Sequence, residues 1–362
     1  MKGIRTFFVL IATSALLAPS WAVAGCLEGN CVDGEGVYEY PDGSMYRGSF
    51  QGGRADGQGK LTSPGGGEYI GEFKDSKAHG QGVMTSPDGT RYEGEFRDNV
   101  KSGRGELTFE NGDTYVGEFA DDEMNGRGTF THADGSYRYE GEWKDGKAHG
   151  KGVVTASDGA RYEGEFENDK EHGHGVMVYP DGTRYEGNFQ NGKKHGQGKL
   201  TYANGSVVEG EFRNDRPEGQ ATYLADDGTR YKGEFENGQF HGRGTLIRQD
   251  GWTYQGPFVK GEPRGQGKIT FPDGSTYEGD VARGLRHGKG TYIASDGTRY
   301  EGEFEDGVKQ GRGQLIQPDG VRYTGEFKND EFHGDGLLLY PDGRSREGQF
   351  REGEYVGPPT VE

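Results

Sequence analysis

The segment Thr90-Arg91-Tyr92-Glu93-Gly94-Glu95-Phe96 recurs along this chain, with its tyrosine position at 46, 69, 92, 115, 139, 162, 185, 208, 231, 254, 277, 300, 323 and 346. Twelve of the 13 spacings are 23 residues and one is 24. A fixed short period is the mark of a repeat array, in which each unit packs only on its neighbours. Strand side chains alternate sides, so Tyr, Gly and Phe of the segment share one face. A length of 362 residues would otherwise suggest two or three domains. The period overrules that and predicts one array over residues 34–356. Hydrophobic residues are 30% of the chain and 70 residues are glycine, too little for a thick apolar core. The strict periodicity of the aromatics excludes disorder, which such a composition would otherwise suggest.

Positions are numbered from the tyrosine of each repeat. Glycine stands at −12, −3 and +2 in all 14 repeats, allowing for one extra residue near Tyr137, and at −10 in 13, with Ala221 the exception. Position −8 is apolar or aromatic throughout, as at Met84, Leu107 and Ile269. Each repeat therefore reads as strand, turn, strand. The turn is Pro-Asp-Gly at 41–43, 87–89, 180–182, 272–274, 318–320 and 341–343. A two-residue loop would set the apolar −8 residue on the face of the +1 glutamate. A three-residue loop sets −8 opposite the tyrosine and Gly −10 opposite Gly +2. On the other face this register brings Arg104 to Glu118, Lys151 to Glu165, Lys199 to Glu209, Lys268 to Glu278, Lys289 to Glu303 and Arg312 to Glu326. Opposite charges across strands support the pairing. Facing glycines leave backbone bare, so that aromatic rings can lie flat on it. Val208 replaces the tyrosine in one repeat, Val281 replaces a phenylalanine, and Pro257 takes +3. The extra residue predicts a bulge near Gly135 to Tyr137. Arg346 in the last repeat suits a polar cap.

These units resemble MORN repeats, whose pattern is Tyr-x-Gly-x-Phe/Trp, a polar Asn/Asp-Gly-Lys-x-x-Gly loop, and Gly-x-Gly into the next strand. The run Tyr139-Glu140-Gly141-Glu142-Trp143-Lys144-Asp145-Gly146-Lys147-Ala148-His149-Gly150-Lys151-Gly152 is close to that pattern. The resemblance covers about nine tenths of the chain. It implies an all-β, elongated single-layer antiparallel sheet or solenoid of 14 stacked 23-residue hairpins. It also implies phospholipid binding, membrane-associated scaffolding or dimerisation, with catalysis confined to separate domains that this chain has no room for.

Outside the repeats, Lys2 and Arg5 precede an apolar run from Phe7 to Leu17 and then Ala22-Val23-Ala24. That is the layout of a secretory signal peptide over residues 1–24. The mature chain is expected in the periplasm or outside the cell, as an exported, repeat-only bacterial member of the family. Residues 25–33 read as an amino-terminal cap and 357–362 as a flexible tail. The two cysteines, Cys26 and Cys31, are expected to form a disulfide in an oxidising compartment. The alternative is lipidation of Cys26 in a lipobox-like Val23-Ala24-Gly25-Cys26, with attachment to the outer membrane. That would leave Cys31 as an odd thiol.

The formal net charge is −18. It argues against nucleic acid, whose binding is driven by Lys and Arg on phosphates, and against general adhesion to anionic lipid. No cofactor or metal motif appears, and the Gly-x-Gly pairs enter strands rather than open helices. Seven of the nine histidines stand at −13 (His79, His149, His172, His195, His241, His287 and His333) and read as polar loop residues. The glutamate rows at +1 and +3 read as a solvated face. Self-packing over glycine is the expected role of most of the rings, but a single-layer sheet leaves one face incompletely covered, so the candidate binding face is the aromatic row of Tyr92, Phe96, Tyr115, Phe119, Tyr162, Phe166, Tyr185 and Phe189. The expected function is a non-enzymatic scaffold holding a protein partner or a second copy. Phospholipid headgroup binding is the alternative, and glycan or cell-wall binding follows it, lowered by the scarcity of tryptophan.

Overall fold

The computed structural model describes residues 24–358. The proposed signal peptide up to Val23, and residues 359–362 of the expected tail, lie outside them. The described residues form 30 strands and no helix. They make two compact units, one of residues up to 181 with 189–192, the other of 182–188 with 193 onwards. In the first unit, consecutive strands pair antiparallel in chain order, as Lys77–Thr85 with Arg91–Arg97 and that strand with Val100–Thr108. The second unit is built the same way, as in Arg216–Leu224, Arg230–Glu236 and Gln239–Ile247. Each is an open sheet of stacked hairpins.

The register within a repeat is the one set by a three-residue loop. Met84 stands opposite Tyr92 and Gly82 opposite Gly94. The Ser86 N–H donates to the Thr90 carbonyl at 2.8 Å and the Gly89 N–H to the Ser86 carbonyl at 3.0 Å. Gly89 has a φ of 90°, which glycine adopts without penalty. All six charge pairs named above stand opposite each other.

The link between repeats is tighter than the family's polar loop suggests. Arg97 stands opposite Val100, so Asp98 and Asn99 alone make the turn, at φ 51° and 72°. Both central residues at positive φ define the hairpin turn that suits the strand twist, and Asp and Asn tolerate it. The following residues are already strand. Phe96 faces Lys101 and Gly94 faces Gly105, so a bulge absorbs the extra residues around Gly103, at φ 60°. The −13 histidines therefore belong to strands rather than loops, as His79 does in Lys77–Thr85. Neighbouring turns also bond sideways. Asn99 N–H donates to the Ala78 carbonyl at 3.0 Å, and Asn99 Oδ1 accepts the Ala78 N–H at 2.7 Å. Asp122, Asp169 and Asp330 accept likewise from Lys101, Ala148 and Lys309.

The extra residue of the repeat at Tyr139 is not a strand bulge. Phe130 faces Tyr139, Thr131 faces Arg138, and His132 N–H donates to the Tyr137 carbonyl at 2.9 Å. Residues Ala133 to Ser136 thus form a longer loop, and the strand register passes through unchanged. A loop tip absorbs an insertion without flipping side chains to the wrong face.

The core is a row of rings over glycines. Tyr92 packs edge-to-face on Phe96 of its own repeat at 5.1 Å and on Phe119 of the next at 4.8 Å. This is a favoured aromatic geometry. A methyl group at Gly94 would stand 2.6 Å from the Tyr92 hydroxyl, and one at Gly105 2.5 Å from Tyr92 Cε2. Each tyrosine therefore lies on the +2 glycine of its own repeat and the −10 glycine of the next. This explains two exceptions at once. The −10 position after Val208 is Ala221, and both are buried, with Gly210 facing Ala221. Where the ring is missing, a methyl group fills its place.

The two ends solve the same problem differently. No repeat precedes Gly36, so no ring covers it. Cys26 and Cys31 are disulfide-bonded, and a methyl group at Gly36 would stand 2.8 Å from Cys31 Sγ. The sulfur takes the place of the ring, and Gly25–Gly29 pairs with Gly34–Glu39 beyond it. At the other end, exposed Arg346 stands in place of the tyrosine, and a short strand Glu354–Gly357 closes the edge with Tyr355 on Phe350 at 5.4 Å.

Two stability outcomes follow from this packing. Gly94→Val lowers the melting temperature at a cost of about 1–3 kcal/mol. Gly65→Ala, at a turn with open space around it, leaves melting unchanged. Val208→Tyr alone destabilises because Ala221 blocks the ring. Val208→Tyr with Ala221→Gly recovers that loss, with a coupling of about 0.5–3 kcal/mol in a thermal double-mutant cycle.

Candidate binding surfaces

The structure places the eight rings of the sequence-derived binding face in the core. Tyr92, Phe96, Tyr115, Phe119, Tyr162, Phe166, Tyr185 and Phe189 are all at most 5% exposed. The rings cover one another across repeats and press on backbone, as Tyr139 does with Phe166 at 5.0 Å and Tyr162 with Phe189 at 5.0 Å. No ligand can lie flat on them. The expectation of an open aromatic face is thus corrected. A single layer buries its rings when glycine lets them lie down instead of stand up.

The hydroxyls of these tyrosines are equally occupied. Tyr92 O–H donates to the Glu95 carbonyl at 3.0 Å, and Tyr277 O–H to the Asp280 carbonyl at 2.7 Å. The carbonyl of the next repeat's −13 residue lies close by, at 3.0 Å for His287 and 3.4 Å for Ser102. Much of the −13 residue's part is therefore played by its backbone, which any residue type supplies. Burial pushes the Tyr69, Tyr231, Tyr254, Tyr277 and Tyr323 hydroxyls up to about 12. The histidine rings stay at the margin, where His172 and His241 set Nδ1 at 3.3 Å from Glu167 and Glu236. Among the described residues no group of three or more His, Cys, Asp or Glu is arranged to hold a metal ion.

The outer face carries two kinds of carboxylate, and only one is simply solvated. At +1, Glu93, Glu140, Glu163 and Glu301 pair with the arginine two residues before them, at 2.5–2.7 Å. These exposed pairs contribute little each. At +3 the carboxylate has a backbone task. Glu95 Oε1 accepts the Arg104 N–H at 3.2 Å, Glu72 Oε1 the Gln81 N–H at 3.3 Å, and Asp280 Oδ2 the Lys289 N–H at 3.1 Å. It seats against the −12 glycine, where a methyl group at Gly103 would lie 2.3 Å from Glu95 Oε2. Glycine and acid together close the bulge. The sequence carried this signal, since Gly −12 and an acid or other acceptor at +3 recur together, but the bulge that links them is not visible in a register.

In the second unit the outer face holds a shallow concavity of about 610 Å³, lined in part by Gln220, Lys232, Glu234, Arg243, Gln255 and Pro257. None of these was singled out from the sequence as a site residue.

The model of the MORN repeat family matches 14 segments that together run from residue 33 to 343. The chain belongs to the MORN repeat family. Among curated proteins no sequence matches it. Among solved structures, the TCP domain of SAS-4 (dCPAP) from Drosophila melanogaster, in complex with a proline-rich motif of Ana2, is 17% identical, with 56% of this chain and 90% of that one covered and a TM-score of 0.27. A streptogramin B lyase is 14% identical over 76% of this chain and 84% of its own, with a TM-score of 0.13. Virginiamycin B lyase from Staphylococcus aureus is 11% identical over 81% and 94%, also at 0.13. Similarity this low carries nothing about the function of this MORN protein.

The buried hydroxyls set an alkaline limit. A phenol whose folded value lies above its unfolded value near 10 favours folding below that pH, and loses the contribution as pH rises through the folded value. Stability should therefore fall between about pH 10 and about 12. Absorbance at the tyrosinate band should show exposed phenols ionising first and the core set only as circular dichroism reports loss of sheet. Ionisation of all tyrosines in one step near 10 with the sheet intact would contradict the packing.

Proposed function

We propose that this chain is an exported, non-enzymatic scaffold of a bacterial envelope, in which the MORN array holds a protein partner, or a second copy of itself, in a membrane-associated assembly. MORN repeats are generally protein- or membrane-binding modules and generally non-catalytic, which supports the class. The observation that carries the reading is the full occupation of the aromatic rows by one another. With the rings spent on packing, each unit offers a largely polar, strand-borne face of regularly repeated side chains. Functional groups at equivalent positions of successive repeats stand roughly 10 Å apart, two strand spacings. That spacing suits recognition at several points along a partner and does not bring side chains together on one reacting atom. Support for export comes from Lys2, Arg5, the apolar run and Ala22-Val23-Ala24. The Cys26–Cys31 disulfide agrees with an oxidising compartment. With Cys26 Sγ in that bond it carries no lipid thioether, which favours a periplasmic or secreted form over an outer-membrane anchor.

Mass spectrometry of the mature protein and in-cell crosslinking test both parts. The expected results are an amino terminus at Gly25 with both cysteines oxidised, and a defined crosslinked complex with one protein or with a second copy. A cytosolic chain that keeps Met1 overturns export. A chain that stays monomeric and uncrosslinked at its natural abundance overturns the scaffold.

A further inference from the structure

The concavity of the second unit lies where the outer face departs from its own rule. Where a glutamate stands at +1, the arginine at −1 pairs with it, as Arg161 does with Glu163. Here Arg230 has Lys232 at +1. Basic residues at −11 elsewhere face a +3 glutamate, as Arg104 faces Glu118 and Arg312 faces Glu326. Arg243 faces Pro257 instead. Arg230, Lys232 and Arg243 are exposed, and no acid stands opposite any of them across the strands. The one acid of the concavity, Glu234, is engaged on the Arg243 N–H at 3.2 Å.

Pro257 leaves a second vacancy in the pattern. It stands where Glu72, Glu95, Glu234 and Asp280 put the carboxylate that receives the −11 amide of the next repeat. Ser49, Asn188 and Gln349 also replace the acid, but each keeps a side-chain acceptor, and proline has none. The ladder opens further here too. Other repeats keep Gly +2 opposite Gly −10 beside the bulge, whereas here the register runs from Gln255–Lys268 to Phe258–Pro263 and the Gly256–Gly267 pair is lost. A methyl group at Gly265 would meet only Pro257 carbons at 3.6 Å or more, against 2.3 Å to a carboxylate oxygen at Gly103. There is thus room beside the bulge, next to Arg243 and in the same concavity as Lys232, at a place this chain fills with a carboxylate elsewhere.

We propose that this concavity binds an extended acidic peptide segment, with one of its carboxylates taking the seat that the +3 acid occupies in other repeats and Lys232 and Arg243 holding the charge. The proposal rests on the scaffold reading and names the chemistry of the partner. A carboxylate held by cations and amides makes charge-assisted hydrogen bonds, stronger than neutral ones. Gln220 and Gln255, exposed on either side, offer both donors and acceptors to a peptide backbone. The lining spans five strands, from Gln220 to Gln266. Four steps at about 4.8 Å make about 19 Å, the length of about six extended residues.

The test is fluorescence anisotropy on the mature chain with a labelled peptide of about six residues alternating glutamate and serine. The same peptide with glutamine for glutamate, inorganic phosphate, and phosphatidylglycerol vesicles are the competitors. Pro257→Glu restores the repeat pattern and fills the seat from within, so it should fold and bind about tenfold more weakly. Lys232→Gln with Arg243→Gln should weaken binding similarly, and added salt should weaken it in the parent. Arg104→Gln, whose residue faces Glu118, should change nothing. Equal binding by the parent and Pro257→Glu overturns the proposal. If that variant does not fold, the Lys232 and Arg243 pair decides by the same criterion. Competition by vesicles or phosphate as strong as by the acidic peptide also overturns it, as does no binding at all. If the peptide fails while crosslinking still yields a defined complex, the scaffold stands and this site falls.

Discussion

A tyrosine ring lying flat on two glycines is the contact on which the rest of this protein depends. It reaches across the boundary between repeats, from its own +2 glycine to the next repeat's −10 glycine. It thereby makes each hairpin unable to complete its core alone. That is the physical basis of an array, since the apolar area of a unit is buried only by its neighbour. The edge-to-face contacts with two phenylalanines then join three rings across two repeats, as Tyr92 does with Phe96 and Phe119. Glycine contributes here by what it lacks. A Cβ at either position would occupy the space of the ring.

The exceptions obey the same constraint. Val208 and Ala221 change together because one fills what the other leaves. The disulfide at the amino end occupies the surface of Gly36 that a preceding tyrosine would have covered. The departure at Val208 is compensated on the inner face, and others are displayed on the outer one. Pro257 and Lys232 are of the second kind. They change what the surface presents, and Pro257 also opens the ladder beside it.

The glutamates illustrate how one residue type serves two purposes. At +1 the carboxylate is exposed beside an arginine and contributes solubility more than stability. At +3 it accepts a backbone N–H at the bulge and lies on the −12 glycine. Backbone groups near the inside of a sheet need partners, and a bulge leaves them without strand partners. The side chain supplies what the ladder cannot. A sheet with a bulge in each repeat thus keeps its hydrogen bonds without a second layer.

Strand positions, the three-residue loop and the facing charges were legible in the sequence. Local rules govern them: side chains alternate, Pro-Asp-Gly turns the chain, and opposite charges pair across strands. The placement of the extra residue in the loop at Ala133–Ser136, the strand character of the −13 histidines and the bulge beside Gly103 were not. They depend on how one hairpin meets the next, where a two-residue turn and a bulge are chosen together. The sequence by itself established that rings and glycines share one face and recur with one period. Only the tertiary structure decided that none of the eight rings of the row is left open to a ligand, because that outcome rests on contact with the following repeat. The same holds for the concavity around Arg243 and Pro257, which no single strand contains.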